Sequence, residues 1–336
     1  MTNIFLSCML LLVHLGILNN QLMKPVYTRL FAFATVLFLA SCREQKEKKE
    51  IVKEIKVEKP FTKDWNSLGE HKESPEWFKD SKLGIYFHWG VYSVPAYGNE
   101  WYPRWMHFKD NKFYKHHVEK YGHPSEFGYH DFIPMFKAEK FDAEEWATLF
   151  HDSGAKFSGP VAEHHDGFAM WDSDITPWNV MDMGPKRDVT GEIEKAIRSK
   201  GMKLITAFHH AKNLQRATKL GEDIRISHFP NFEGMPTTSN DPKLQMLYGN
   251  MEHEKWYKEM WFGKLKEVID RYNPDIIWFD YVLGDIPEKY RKEFAAYYLN
   301  AAAEKGKEVV IVRKQHDMPL NMSVEDLEQS RKNVIG

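Results

Sequence analysis

The chain has 336 residues, enough for one large domain or two small ones. A net charge of −2, with 43% hydrophobic and 28% charged residues, is ordinary for a globular protein and gives no reason to expect nucleic-acid binding. The two cysteines, Cys8 and Cys42, both fall in the first 42 residues, so the body has no disulfide and no thiolate metal ligand.

Residues 1–22 hold an apolar stretch, Ile4 to Leu18, without Lys or Arg. A positive segment with Lys24 and Arg29 precedes a second apolar run, Leu30 to Ala40, too short to span a bilayer comfortably. Because a signal peptide needs positive charge before its apolar run, Met23 is the expected start. Leu39-Ala40-Ser41-Cys42 resembles a bacterial lipobox, with an ordinary cleaved signal peptide as the alternative. Residues 1–42 are thus expected to be a leader, with Cys42 lipidated and the chain anchored to the bacterial cell envelope, at its periplasmic or outer-membrane face. Residues 43–60 are a charged, solvated linker, and 61–336 form the folded domain.

The body shows no internal repeat. Short apolar runs at Leu83–Trp89, Lys156–Ala162, Leu204–Phe208, Asp275–Asp280 and Val309–Val312 have the character of buried parallel strands. Helical patterns fall between some of them, at Glu144–Ser153, Gly191–Lys200, Lys255–Tyr272 and Pro287–Lys305. The alternation predicts an α/β fold with a parallel sheet. Polar residues stand at the C-terminal ends of the runs, where a TIM-type (β/α)₈ barrel builds its chemistry. Open sheets also bind there, but no Gly-rich phosphate loop follows any strand.

Three clusters could carry chemistry. Asp280 ends a buried apolar run, where a carboxylate is costly unless paired or used; it could be a glycosidase nucleophile or a loop cap. Glu163-His164-His165-Asp166-Gly167-Phe168 could bind a metal or sugar hydroxyls, and the adjacent histidines converge only if the strand has already ended. A metal site needs about three protein ligands, and no spaced histidine motif is present, so neither a metal nor a cofactor is expected. Phe87-His88-Trp89-Gly90 and Glu100-Trp101-Tyr102 combine polar groups with aromatic rings able to stack on a sugar; a core histidine and a solvated glutamate are the bland alternatives. The 14% aromatic content fits a carbohydrate site or simply a large aromatic core.

Together, Trp77 to Gly90, Glu100-Trp101-Tyr102, His164 to Phe168 and Trp278-Phe279-Asp280 resemble glycoside hydrolase family 29, the α-L-fucosidases, in order and type. The resemblance implies a TIM-type barrel that removes terminal α-L-fucose from fucosylated glycans with retention, through a covalent fucosyl-enzyme. It implies Asp280 as nucleophile and His88, Glu100, Trp101, His164 and His165 as fucose-pocket residues. His209, Lys314, Trp89 and Trp278 are placed with the substrate-binding set. The acid/base varies in position across the family; Glu328 fits best and Glu325 is the runner-up. Family members usually continue further, often into a β-sandwich, whereas 56 residues follow Asp280 here. Five clear strands and a sixth around Ser323–Asp326 predict an incomplete barrel without a sandwich, open on one side and weakly active or inactive. The competing functions are a non-catalytic fucose-binding protein and a metal-dependent hydrolase using His164 and His165.

Overall fold

The computed structural model describes residues 60–223, 225–281, 283–314 and 316–327. The leader with Cys42, residues 43–59 of the linker, and Glu328 lie outside them.

Among the described residues, six strands form one sheet in the order of the chain: β1 (Gly84–Phe87), β2 (Phe157–Glu163), β3 (Lys203–Phe208), β4 (Ile276–Phe279), β5 (Val310–Arg313) and β6 (Val324–Glu325). Every neighbouring pair is parallel. The sheet curls into a half-barrel, and no ladder joins β1 to β6 among the described residues. The sixth strand falls inside the segment expected from sequence.

Parallel neighbours need crossovers, and four helices supply those between β1 and β5: α1 (Ala143–Asp152), α2 (Val189–Ser199), α3 (Gly263–Tyr272) and α4 (Glu288–Glu304). The first three begin or end as their sequences dictate. Asp142 and Asp188 accept backbone N–H bonds at the starts of α1 and α2, and Asn273 closes α3 in the left-handed conformation.

Strand alternation divides the core in two. Ile277, Phe279, Leu204, Phe208 and Ile311 face the helices and join the large cluster with Val268, Ile269 and Phe294. Val161, Ile205, Ala207, Ile276, Trp278, Val310 and Val312 face the concave side and form a smaller cluster with Trp77, Phe78 and Val324. The residues continuing the concave rows past the strand ends are His88, His209, Asp280 and Lys314, so the pattern that packs the core also aims these side chains.

One expected helix differs. Residues 255–272 are not uniformly α: a π-helical stretch, Trp256–Phe262, precedes α3. Trp256 and Trp261 are both buried, and an α-helix would rotate residues five apart by about 140°. The wider turn lets both rings pack inward, and the Trp261 carbonyl accepts a hydrogen bond from His210 Nε2 at 3.1 Å.

Candidate active site

Asp280 lies at the centre of the site. Its backbone N–H extends the ladder by donating to the Phe208 carbonyl at 3.1 Å, which fixes it just beyond β4. Lys314 Nζ donates to Asp280 Oδ1 at 2.8 Å. His165 Nε2 and His209 Nδ1 approach Oδ2 at 3.4 and 3.3 Å, long for formed hydrogen bonds. Burial alone would push this carboxyl up, but contact with His165 and His209 outweighs it and holds Asp280 far below the usual carboxylate range. It is therefore an ionised, nearly buried carboxylate surrounded by three bases.

The paired histidines reach the same cavity because β2 does not end regularly. Its register against β3 shifts between Val161 and Glu163, a bulge that interrupts the alternation just before His164. The His164 ring then stands 4.9 Å from His209 and 5.6 Å from His88. His165 turns to Asp280, while its Nδ1 donates to the His209 carbonyl at 2.5 Å. The following residues hold the turn. Asp166 accepts from the Tyr129 hydroxyl at 2.6 Å and from the Phe168 N–H. Gly167 has φ +81°, and a Cβ there would meet the Leu247 carbonyl oxygen at 2.1 Å. Glu163, behind the bulge, pairs with Lys264 at 2.8 Å, both side chains nearly inaccessible.

Burial favours the neutral form of His88, His164 and His209. It pushes His209 down to about 4 and His164 well below its usual value, in the latter case with help from His165, His209, His228 and His88. His88, exposed at the rim, is lowered by burial too, with Glu100 acting against the shift. His164 Nδ1 and both His209 ring nitrogens are buried without a hydrogen-bond partner. Neutral imidazoles with free nitrogens around a carboxylate can bind the hydroxyls of a sugar. They could also bind a divalent cation, since ring nitrogens of His88, His164 and His209 lie within 4.8 Å of one another, as do ligand atoms of His165, His209 and Asp280.

The structure thus brings together His88, His164, His165, His209, Asp280 and Lys314. Trp101 joins them, its ring 5.2 Å from His165, and Trp278 lies beneath His209 at 5.3 Å. Trp89 points elsewhere: one residue past His88, its ring packs at 5.1–5.2 Å against Phe136, Phe141 and Trp146 on the helix side. Glu325 sits on β6, two strands along from Asp280, and its carboxylate contacts Arg313 and His316. Two site residues went unread in the sequence. Tyr92 lies 5.1 Å from His164, and His228, in a loop without any motif, lies 5.3 Å from His165 and 5.6 Å from Trp101.

The sequence matches the alpha-L-fucosidase family over residues 50–335. The chain belongs to that family. Among its relatives, the tissue alpha-L-fucosidase of Rattus norvegicus is 34% identical over 260 residues, 74% of this chain and 49% of that protein. The plasma alpha-L-fucosidase of Homo sapiens is 33% identical over 251 residues, 73% of this chain and 48% of that protein. The crystal structure of Thermotoga maritima alpha-fucosidase in complex with fucose is similar at TM-score 0.58 and 31% identity, covering 75% of this chain and 56% of that one. The chain spans about half the length of the curated relatives it matches. In this fucosidase family chain the barrel-type strand order and the histidine-lined carboxylate belong to one architecture.

Proposed function

We propose that the chain is a retaining α-L-fucosidase that removes terminal α-L-fucose from fucosylated glycans. The observation that carries this reading is Asp280, ionised and nearly buried at the end of a concave strand row, bonded by Lys314 and flanked by His165 and His209. Oδ of Asp280 attacks the anomeric carbon as the glycosidic bond breaks, giving a covalent fucosyl-enzyme that water then hydrolyses. His88, His164 and His209 take the sugar hydroxyls, Glu100 acts from the rim, and Trp101 covers the ring. Glu328 is the proposed acid/base that protonates the leaving oxygen, with Glu325 as the alternative; in a retaining pair the two carboxyl groups stand about 5–5.5 Å apart. Hydrolysis of p-nitrophenyl α-L-fucoside, with the first-formed fucose anomer followed by NMR, tests the reading. Retention supports it and inversion refutes it. Fucose binding with no turnover makes the chain a fucose-binding protein instead.

We further propose that Cys42 is lipidated and anchors the mature chain to a bacterial envelope membrane, on the strength of the lipobox-like Leu39 to Cys42 and the charged segment after it. No helix of the described residues is long and apolar enough to cross a membrane. Cys42→Ala should move the protein from the membrane fraction to the soluble one, and a variant that still pellets with membranes refutes the anchor.

A further inference from the structure

Beside the carboxylate lies a second cavity, of about 480 Å³, whose walls include Trp101, Tyr281, Lys212, Arg225, Arg104 and Asp223. It adjoins the proposed fucose pocket on two sides. Trp101 separates it from His165, and Tyr281 follows Asp280 directly in the chain. The cavity thus shares its Trp101 wall with that pocket.

The charges of this cavity do not cancel. Arg104 is fully engaged: Nη1 donates to the Ser227 and His228 carbonyls at 2.7 and 2.9 Å, and Nη2 donates to both oxygens of Asp223 at 2.9 and 3.1 Å. That pair neutralises itself. Lys212 has no such partner. It is 6% exposed, and its ammonium stands 5.3 Å from the Trp101 ring centre and 5.1 Å from that of Tyr281, with no carboxylate in ion-pair contact among the described residues. Burial pushes its amine down to about 8; Arg104 and Arg216 add to the shift, while Asp280 and Asp285 oppose it. Arg225 stands exposed at the rim, with no acidic partner among the described residues. A buried ammonium without a counterion is a costly arrangement that an incoming anion would relieve.

We propose that this cavity is a leaving-group subsite for an acidic sugar, one carrying a sulfate ester or a carboxylate, with Lys212 and Arg225 binding the anion and Trp101 and Tyr281 flanking the ring. The proposal rests on the fucosidase reading, because it takes the occupant to be the group that fucose is attached to.

Two measurements on the full chain test it. The first compares kcat/KM for a neutral fucosyl-galactoside, its galactose 6-sulfate counterpart and a fucosyl-glucuronide. Acidic over neutral should be about tenfold or more at low salt, falling as salt rises. In the Lys212→Met, Arg225→Ala double variant the ratio should fall to about one, and Lys212→Arg should keep most of it. Preference for sulfate alone or carboxylate alone identifies the anion. The second measurement needs no turnover: isothermal titration calorimetry with galactose 6-sulfate, glucuronate and galactose. Tighter binding of either acidic sugar, lost in the double variant, supports the subsite even if nothing is hydrolysed, in which case only the fucosidase reading falls. Equal binding of all three sugars, or a kcat/KM ratio untouched by the double variant, overturns the proposal.

Discussion

Replacing Lys264 by Met tests how the site is supported from behind. Lys264 Nζ and Glu163 Oε1 are 2.8 Å apart, with side chains 1% and 2% exposed. The second Glu163 oxygen already has no hydrogen-bond partner. Met fills much the same volume but strands a carboxylate in the core, and removing one member of a buried pair costs about 3–5 kcal/mol. The sign of the pH dependence follows from Glu163. Burial raises its carboxyl, and Lys264 is the group opposing that rise. Without Lys264 the folded-state value climbs further above the unfolded one, so the penalty is largest at neutral pH and shrinks as pH falls toward the unfolded carboxylate range. His210, near Lys264, stays neutral throughout, since burial pushes it down to about 3, while Asp166, raised by burial to about 7 with Lys264 opposing, responds in the same sense as Glu163. Guanidinium unfolding at pH 7.5 and 5.5 should show the variant recovering about 1–3 kcal/mol at the lower pH relative to the unmodified chain. Adding Glu163→Gln should restore most of the stability. A loss under about 1 kcal/mol at pH 7.5, or an equal loss at both pH values, would refute the reasoning.

Asp280→Asn should lower turnover of p-nitrophenyl α-L-fucoside by roughly a thousandfold or more, about 4 kcal/mol of barrier, while fucose binding by calorimetry persists; near-normal turnover removes Asp280 from the nucleophile role. Gly167→Ala should cost about 2 kcal/mol or more in chemical denaturation, because the new methyl group meets the Leu247 carbonyl in a left-handed turn, and it should weaken fucose binding through His165. Acid should unfold the chain cooperatively between about pH 6.5 and 4: burial keeps His107, His164, His209, His210 and His228 neutral in the fold, with His107 and His209 down at about 4, and they take up protons only on unfolding. Asp166, pushed up by burial to about 7, and Glu163, also raised, act in the opposite sense; this set alone leaves a net of about three protons, a contribution of about 4 kcal/mol per pH unit, and a flat profile over that window would contradict the assignment.

The strands β2 to β5 were legible because each is a short apolar run buried on both faces, and such runs predict themselves to within a residue or two. The carboxylate and the histidines were legible because they interrupt those runs at one consistent end. Trp89 was misleading for a local reason: it shares a motif with His88, yet adjacent residues leave a strand in opposite directions, and only the packing of Phe136, Phe141 and Trp146 shows which side Trp89 takes. His228 left no trace in the sequence, since an irregular loop carries it to His165 and no periodicity marks that approach. The π-helical stretch was hidden too. Its signal is the five-residue interval between Trp256 and Trp261, which reads as an ordinary helical pattern until both rings prove buried.

The strand order has a consequence for biosynthesis. Each strand pairs with the one made immediately before it, so the sheet can grow as the chain leaves the ribosome, without waiting for a distant partner. The intervals are unequal. About 70 residues separate β1 from β2, but only about 10 separate β5 from β6. At roughly 5–20 residues per second, β1 waits on the order of 4–14 s before its first neighbour exists. Through that interval Gly84–Phe87 is a bare apolar edge with nothing to pair to, and it is there that a crowded nascent chain would first find a wrong partner.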